Sequence, residues 1–338
     1  MEYGDAADPI DPHSAYTKRL LRALSMNSRI TVGGLARATG VTRRNVQFRL
    51  AFLQKRLRIS YTLELDQGKM GLTEPHIVAV KFKRKPDYGK IGALLASSPT
   101  TQLALATDGR YDLLVYANSR SAAEYYSWDA AMRSRLVPEY GAEWESSEIS
   151  YQRLGFFSLR NEAIAASQLK QKDKELLMAL NENARLPLKR LASKTGMNYK
   201  SVAYHLKALV SRGIIRRFTM VLGANSGVVP AVVLGRFVPP EDAAGVANVT
   251  QRTFSAEDSE LLVNRYQLTA ALVGSYGFMV LGAFKNRHRA YAELFKLYKN
   301  LYRRFGYTRS YPAVVTRVLV GRLPIRNADN MKIYKAQL

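Results

Sequence analysis

The chain contains no cysteine. That single absence excludes disulfides, thiolate nucleophiles and thiolate metal sites together. No stretch approaches the ~18 consecutive apolar residues of a membrane span, so nothing in the chain is expected to cross a bilayer. The four histidines, His13, His76, His205 and His288, are scattered singly, and none sits in the paired motif that a metal site or an acid–base centre needs. Neither a cofactor nor a metal is therefore expected. Residues 1–14 are acidic and lack the basic and apolar regions of a signal peptide, which leads to the expectation of a cytoplasmic protein.

Acidic residues are scarce where basic ones are dense. The 338 residues include 51 Lys or Arg against 27 Asp or Glu, a net charge of +24. Residues 17–58 hold eleven basic side chains and no acidic one, while residues 170–217 hold twelve against Asp173, Glu175 and Glu182. Those 90 residues carry 20 of the 24 excess charges. A diffuse excess would read as an ordinary solvated surface. Concentration into two segments points to a polyanionic partner contacted at these segments, a nucleic acid.

The two basic windows are copies of each other. Residues 17–53 overlay 173–209 without a gap at a constant offset of 156, with 14 of 37 positions identical. The period is about half the chain, so the pattern is a tandem duplication of a large unit. In the first copy Leu20, Leu21 and Leu24 mark one face of a helix ending at Met26. A second helix over 31–39 buries Leu35 and Ala36, and Gly40 supplies a tight turn. Thr42 then caps a third helix with Val46, Leu50 and Leu53 inward. The second copy repeats this over 172–180 and 186–195, with Gly196 at the turn, a cap at Asn198, and Val202, Leu206 and Leu209 inward. Three short helices in this order form a helix-turn-helix.

The outward faces of the third helices are the expected DNA-reading surfaces. They present Arg43, Arg44, Asn45, Gln47, Phe48, Arg49 and Lys55 in the first copy, and Asn198, Tyr199, Lys200, Ser201, Tyr204, His205 and Lys207 in the second. Arg or Lys suits guanine O6 and N7, and Asn or Gln suits adenine. Phe48 and Tyr204 share one repeat position. Their rings either meet a thymine methyl or the groove wall, or fold back onto a neighbouring wing or a partner. The basic, β-rich stretches that follow, 58–63 and 214–219, read as the wings of winged helices, with Arg58, Arg216 and Arg217 aimed at phosphate.

Each helix-turn-helix is followed by a βαββαβ pattern. The first runs through strand 76–82, helix 88–96, strands 103–107 and 111–117, helix 122–136 and strand 143–154. The second runs through strand 231–237, a helix from about Asp242, strands 267–273 and 278–284, helix 289–305 and strand 313–320. The fold class is accordingly α+β: two winged helix-turn-helix domains (15–66 and 161–222), each followed by a ferredoxin-like sandwich (67–160 and 223–325), with tails at 1–14 and 326–338.

This order resembles the leucine-responsive regulator (Lrp/AsnC) family of transcription factors. The residues that carry the resemblance are Leu20-Leu21-x-x-Leu24-x-x-Asn27-x-Arg29, Leu35-Ala36-x-x-x-Gly40-Val41-Thr42, Val46-x-x-Arg49-Leu50, Leu53, Leu65-Asp66-x-x-x-Met70-Gly71-Leu72, and the turn Gly109-Arg110-Tyr111-Asp112. The second unit repeats them through Gly213-Ile214-Ile215 to Gly274-Ser275-Tyr276-Gly277. Family members usually carry one unit. The resemblance implies a DNA-binding regulator whose paired sheets hold an amino-acid effector, here near Gly109, Tyr111 and Asp112, with Gly274 and Tyr276 in the second copy. A plain reading of the same residues is a turn and interface packing. It also implies that one polypeptide supplies an intramolecular pseudo-dimer, with homo-oligomers formed through Tyr125, Tyr126, Tyr291, Tyr298 and Tyr302. Three departures stand out: Leu57 replaces the Gly kept at Gly213, His205 replaces the basic residue kept at Arg49, and Gly277 replaces Asp112.

Two other readings compete. Siroheme decarboxylases resemble the same pair of modules, sometimes in tandem, without using the helix-turn-helix for DNA. The scattered histidines and the acid-free first head argue against an enzyme, and none is expected. A nonspecific architectural DNA-binding protein is the third reading.

Overall fold

A computed structural model describes residues 15–221, 229–237, 268–284, 286–305 and 308–323. The described residues divide into two compact units, each drawn from both halves: 15–66 and 170–221 form one, and 67–169, 229–237, 268–284, 286–305 and 308–323 the other. The helix expected from Asp242 and both tails lie outside the described residues.

The first unit holds both helix-turn-helix heads. Helices α1 (Ala15–Met26), α2 (Val32–Thr39) and α3 (Arg43–Leu57) build the first head. The Thr31 side chain caps α2 by accepting from Gly34 N at 3.0 Å, Gly40 closes it at φ 74°, and Thr42 caps α3 by accepting from Asn45 N at 3.3 Å. The left-handed φ explains the glycine, which carries no Cβ to clash. Leu20, Leu24, Leu35, Val46, Leu50 and Leu53 are buried, as the helical spacing requires. In the second head α7 (Gln171–Glu182), α8 (Leu188–Thr195) and α9 (Tyr199–Ser211) repeat the arrangement over buried Leu176, Leu177, Leu180, Leu191, Val202 and Leu209.

The strands after the third helices differ from the expected wings. Strand β1 (Ser60–Leu65) and strand β6 (Ile215–Val221) pair antiparallel with each other, one from each head, from Ser60 opposite Val221 to Leu65 opposite Ile215. Helix α7 packs on β1 and α1 on β6, so the ladder is covered by helices of the opposite copy.

The heads are braced by reciprocal contacts. Arg29 Nη1 donates to Ala184 O (2.7 Å) and Leu186 O (3.0 Å), and the equivalent Arg185 Nη1 donates to Ser28 O (2.8 Å). Arg29 also lies over the Phe218 ring (5.4 Å) and Arg185 over Tyr61 (5.0 Å). Asn27 and Asn183 accept from the backbone N of their own Arg29 and Arg185, fixing both turns. Burial, and then the Arg185 charge, lower the Arg29 pKa.

The second unit contains β2 (Glu74–Lys81), α4 (Tyr88–Ala96), β3 (Thr101–Gly109), β4 (Leu113–Ser119), α5 (Ala122–Tyr140) and β5 (Glu143–Leu154) from the first half. From the second half come β7 (Val229–Phe237), β8 (Leu268–Gly274), β9 (Phe278–Phe284), α10 (Arg287–Phe305) and β10 (Thr308–Val320). A short helix, α6 (Asn161–Ala166), has no counterpart in the sequence reading, because six residues are too few to display a helical period.

The strands join edge to edge rather than forming two separate sandwiches. β5 pairs β8 and β10 pairs β3, closing a barrel in the order β10-β3-β4-β2-β5-β8-β9-β7. Closure removes the exposed strand edges that an isolated sheet would carry. Side chains alternate along β2: Ile77 and Ala79 enter the barrel core shared with β7, β8 and β9, while Val78 and Val80 pack under α4 and α5. Burial on both faces is why residues 76–82 read as a nearly continuous apolar run.

Candidate functional site

The third helices carry an exposed basic and aromatic face. Arg43, Arg44, Asn45, Gln47, Phe48, Lys55 and Arg58 are exposed in the first head, as are Asn198, Tyr199, Lys200, Tyr204 and Lys207 in the second, with Ser201 half-buried. Phe48 is 60% exposed and Tyr204 72%, so neither ring folds back onto a wing of this chain. Asn198 spends its side-chain oxygen on Ser201 N (2.8 Å), a capping role.

Four expected contacts are engaged elsewhere. Arg217 is buried and ion-paired with Glu64, its partner across the β1–β6 ladder, so its guanidinium is not presented to phosphate. A buried guanidinium needs such a counter-charge, and removing it would be costly. His205 Nδ1 lies 2.7 Å from the buried Asp173 Oδ1 and ties α9 to α7. Arg49 is half-buried over the Tyr16 ring at 4.2 Å. Arg216 stays exposed but pairs with Asp66 at 2.8 Å. The exposed, unengaged face is thus narrower than the set of residues expected from the sequence.

In the barrel, the two expected tyrosines converge on one carboxylate. Tyr111 and Tyr276 meet edge to face with centroids 5.8 Å apart, and Tyr311 faces both at 6.1 and 6.2 Å. Glu145 Oε2 accepts from Tyr111 Oη (2.9 Å), from Arg236 Nη2 (2.7 Å) and from Tyr276 Oη. Burial alone would raise the Glu145 pKa, but the hydrogen bonds from Tyr276, Arg236 and Tyr111 outweigh it and hold it below the usual range. Burial pushes both tyrosines up, which keeps their hydroxyls as donors.

The ladders make this centre two pairs of equivalent positions. Ala79 lies opposite Glu145 as Leu234 lies opposite Tyr311, so Glu145 and Tyr311 correspond, as do Tyr111 and Tyr276. Lys81 and Arg236 correspond in the same way. Lys81 Nζ pairs with Asp112 Oδ1 at 2.9 Å, and Asp112 Oδ2 also accepts from Phe82 N at 2.8 Å. Gly277 replaces Asp112 in the second half, and Arg236 turns to Glu145 instead. The carboxylate of Asp112 is therefore engaged in holding the end of β2.

Gly109 and Gly274 serve the barrel closure. A Cβ on Gly109 would stand 2.6 Å from Pro312 O, and one on Gly274, at φ 127°, would stand 2.9 Å from Ser146 O. Each glycine lets one half approach the last strand of the other. Sequence reasoning missed Glu145, Arg236 and Tyr311, which stand in no local motif.

Residues 169–216 match a family model described as a winged helix-turn-helix DNA-binding domain. Along its whole length the chain shares its fold with the siroheme decarboxylase NirDL, with a TM-score of 0.55 at 13% identity over 96% of this chain and 98% of that one. NirDL in complex with an iron-uroporphyrin III analogue gives a TM-score of 0.54 at 13% identity, covering 95% and 97%. An AsnC family transcriptional regulator from Agrobacterium tumefaciens covers 44% of this chain with 96% of its own, at 17% identity and a TM-score of 0.38. No curated protein matches the sequence. The expectation that the chain is no enzyme does not stand, because NirDL is an enzyme and shares this fold over 96% of the chain. Among the described residues no helix is long and apolar enough to cross a membrane.

Proposed function

We propose that the protein is a sequence-specific double-stranded DNA-binding transcriptional regulator with both reading heads in one polypeptide. The observation that carries this reading is the pair of exposed basic helix faces on heads braced by Arg29 and Arg185. The faces differ, Arg43-Arg44-Asn45 against Tyr199-Lys200-Ser201, so the operator is asymmetric. The barrel centre is the proposed effector site: the Glu145–Arg236 pair offers a carboxylate for an ammonium and a guanidinium for a carboxylate, the two ends of an amino acid. Exposed Tyr126, Tyr291 and Phe295 support assembly of further copies through the outer helices.

Footprinting on genomic fragments, with and without amino acids, tests the reading. Protection of one asymmetric site is expected, with affinity falling about 10³- to 10⁵-fold between roughly 50 and 200 mM salt if about 6 to 10 phosphates are neutralised. Equal affinity for any duplex would indicate an architectural protein instead.

The full-length fold shared with NirDL favours a second reading, an enzyme acting on siroheme. Incubating the purified protein with siroheme distinguishes it: a shifted Soret band and release of carbon dioxide support the enzyme, and an unchanged spectrum removes it.

A further inference from the structure

Within the unit that holds the two heads, a cleft of about 590 Å³ opens between α1 and α2 of the first head and α9 and β6 of the second. Its size lies in the roughly 300–1,000 Å³ range of small-molecule sites. Part of its wall is apolar, including Met26, Ile30, Val210 and Phe218, and four arginines, Arg19, Arg22, Arg216 and Arg217, also line it.

The four charges are not equally compensated. Arg216 pairs with Asp66 and Arg217 with Glu64. Among the described residues neither Arg19 nor Arg22 has a carboxylate partner, and the Arg22 Nε is buried without an acceptor. A buried guanidinium N–H left unpaired costs the full loss of its hydration. An anion entering the cleft would meet the uncompensated Arg22 and Arg19 guanidinium charges, and its apolar body would cover Met26, Ile30 and Phe218. DNA phosphate suits this place poorly, because a duplex backbone has no apolar body to set against that wall.

We propose that this cleft binds an amphipathic small-molecule anion, a carboxylate or sulfonate on a compact apolar body, through Arg22 and Arg19. Such an occupant touches elements of both heads at once. It is therefore placed to change how α3 and α9 are presented to DNA, separately from any effector at Glu145.

Fluorescence titration of the full chain with anilinonaphthalene sulfonate, in the absence of DNA, tests the site. One saturable equivalent is expected, displaced by decanoate and not by decanol. R22M, which removes the charge and keeps an apolar stem, should weaken binding about tenfold or more, the loss of one charge-assisted hydrogen bond. A38F, at an exposed position on the cleft wall, should block the space while leaving every arginine in place. Equal binding by the parent and A38F, displacement by decanol as effective as by decanoate, or non-saturable binding would overturn the proposal. The titration contains no DNA, so its failure is distinct from failure of the regulator reading.

Discussion

Arg29 and Arg185 occupy equivalent positions in the two heads, and each donates to the backbone of the other's turn, at 2.7 and 2.8 Å. The relationship gives the repeated Asn-x-Arg sequence a mechanical purpose. The Asn shapes the turn, and the Arg carries that turn's anchor into the other copy.

Arg29→Ala should destabilise the unit that holds the heads by about 1.5–3 kcal/mol, the range for hydrogen bonds from a charged donor. Arg185→Ala should cost a similar amount. Because both act at one junction, the double variant should depart from additivity in urea unfolding. Additive losses would mean that the two braces hold independently.

On the reading faces, Arg44→Ala should remove protection from one half of the footprint and Lys200→Ala from the other. Arg217→Ala should act differently: it leaves Glu64 buried without its partner and should lower stability by about 3–5 kcal/mol. Measuring footprint and thermal unfolding on the same preparations separates contact from packing. Loss of only half a footprint in stable Arg217→Ala protein would count against its structural role.

Glu145 sets a pH dependence in the barrel. Its folded pKa lies below the ordinary value, so the unfolded chain takes up the proton first as the solution is acidified. The stabilisation is complete above the ordinary carboxylate pKa of about 4.3 and is lost as pH falls through the folded value. Glu145→Gln should reduce stability at neutral pH and flatten the acid limb of the curve. Parallel acid limbs for parent and variant, followed by urea unfolding, would rule the centre out as a contributor.

Gly109→Ala adds a methyl 2.6 Å from Pro312 O, and the backbone on both sides leaves it no room. A loss of about 1–3 kcal/mol is expected from such overpacking. Gly40→Ala is the contrast: nothing lies within 4 Å of its added Cβ, and the cost there is the left-handed φ of 74° alone.

The sequence by itself determined the three helices of each head, the Thr42 and Asn198 caps and the core faces, because a helical period and a Thr or Asn cap are local properties of a few neighbouring residues. It also determined where the charge gathers and the βαββαβ order of the first half. Only the tertiary structure decided which strands pair. β1 joins β6 and β10 joins β3 because hydrogen-bonding edges select partners by spatial proximity, which no local pattern encodes. The same limit hid the barrel centre: Glu145 meets Arg236 and Tyr276 across 91 and 131 residues of chain. It also hid the burial of Arg217, since a basic residue in a strand reads as exposed until the element that covers it is known. The duplication was legible in the sequence, but the mutual support of its copies depends on contacts that form only when the chain folds.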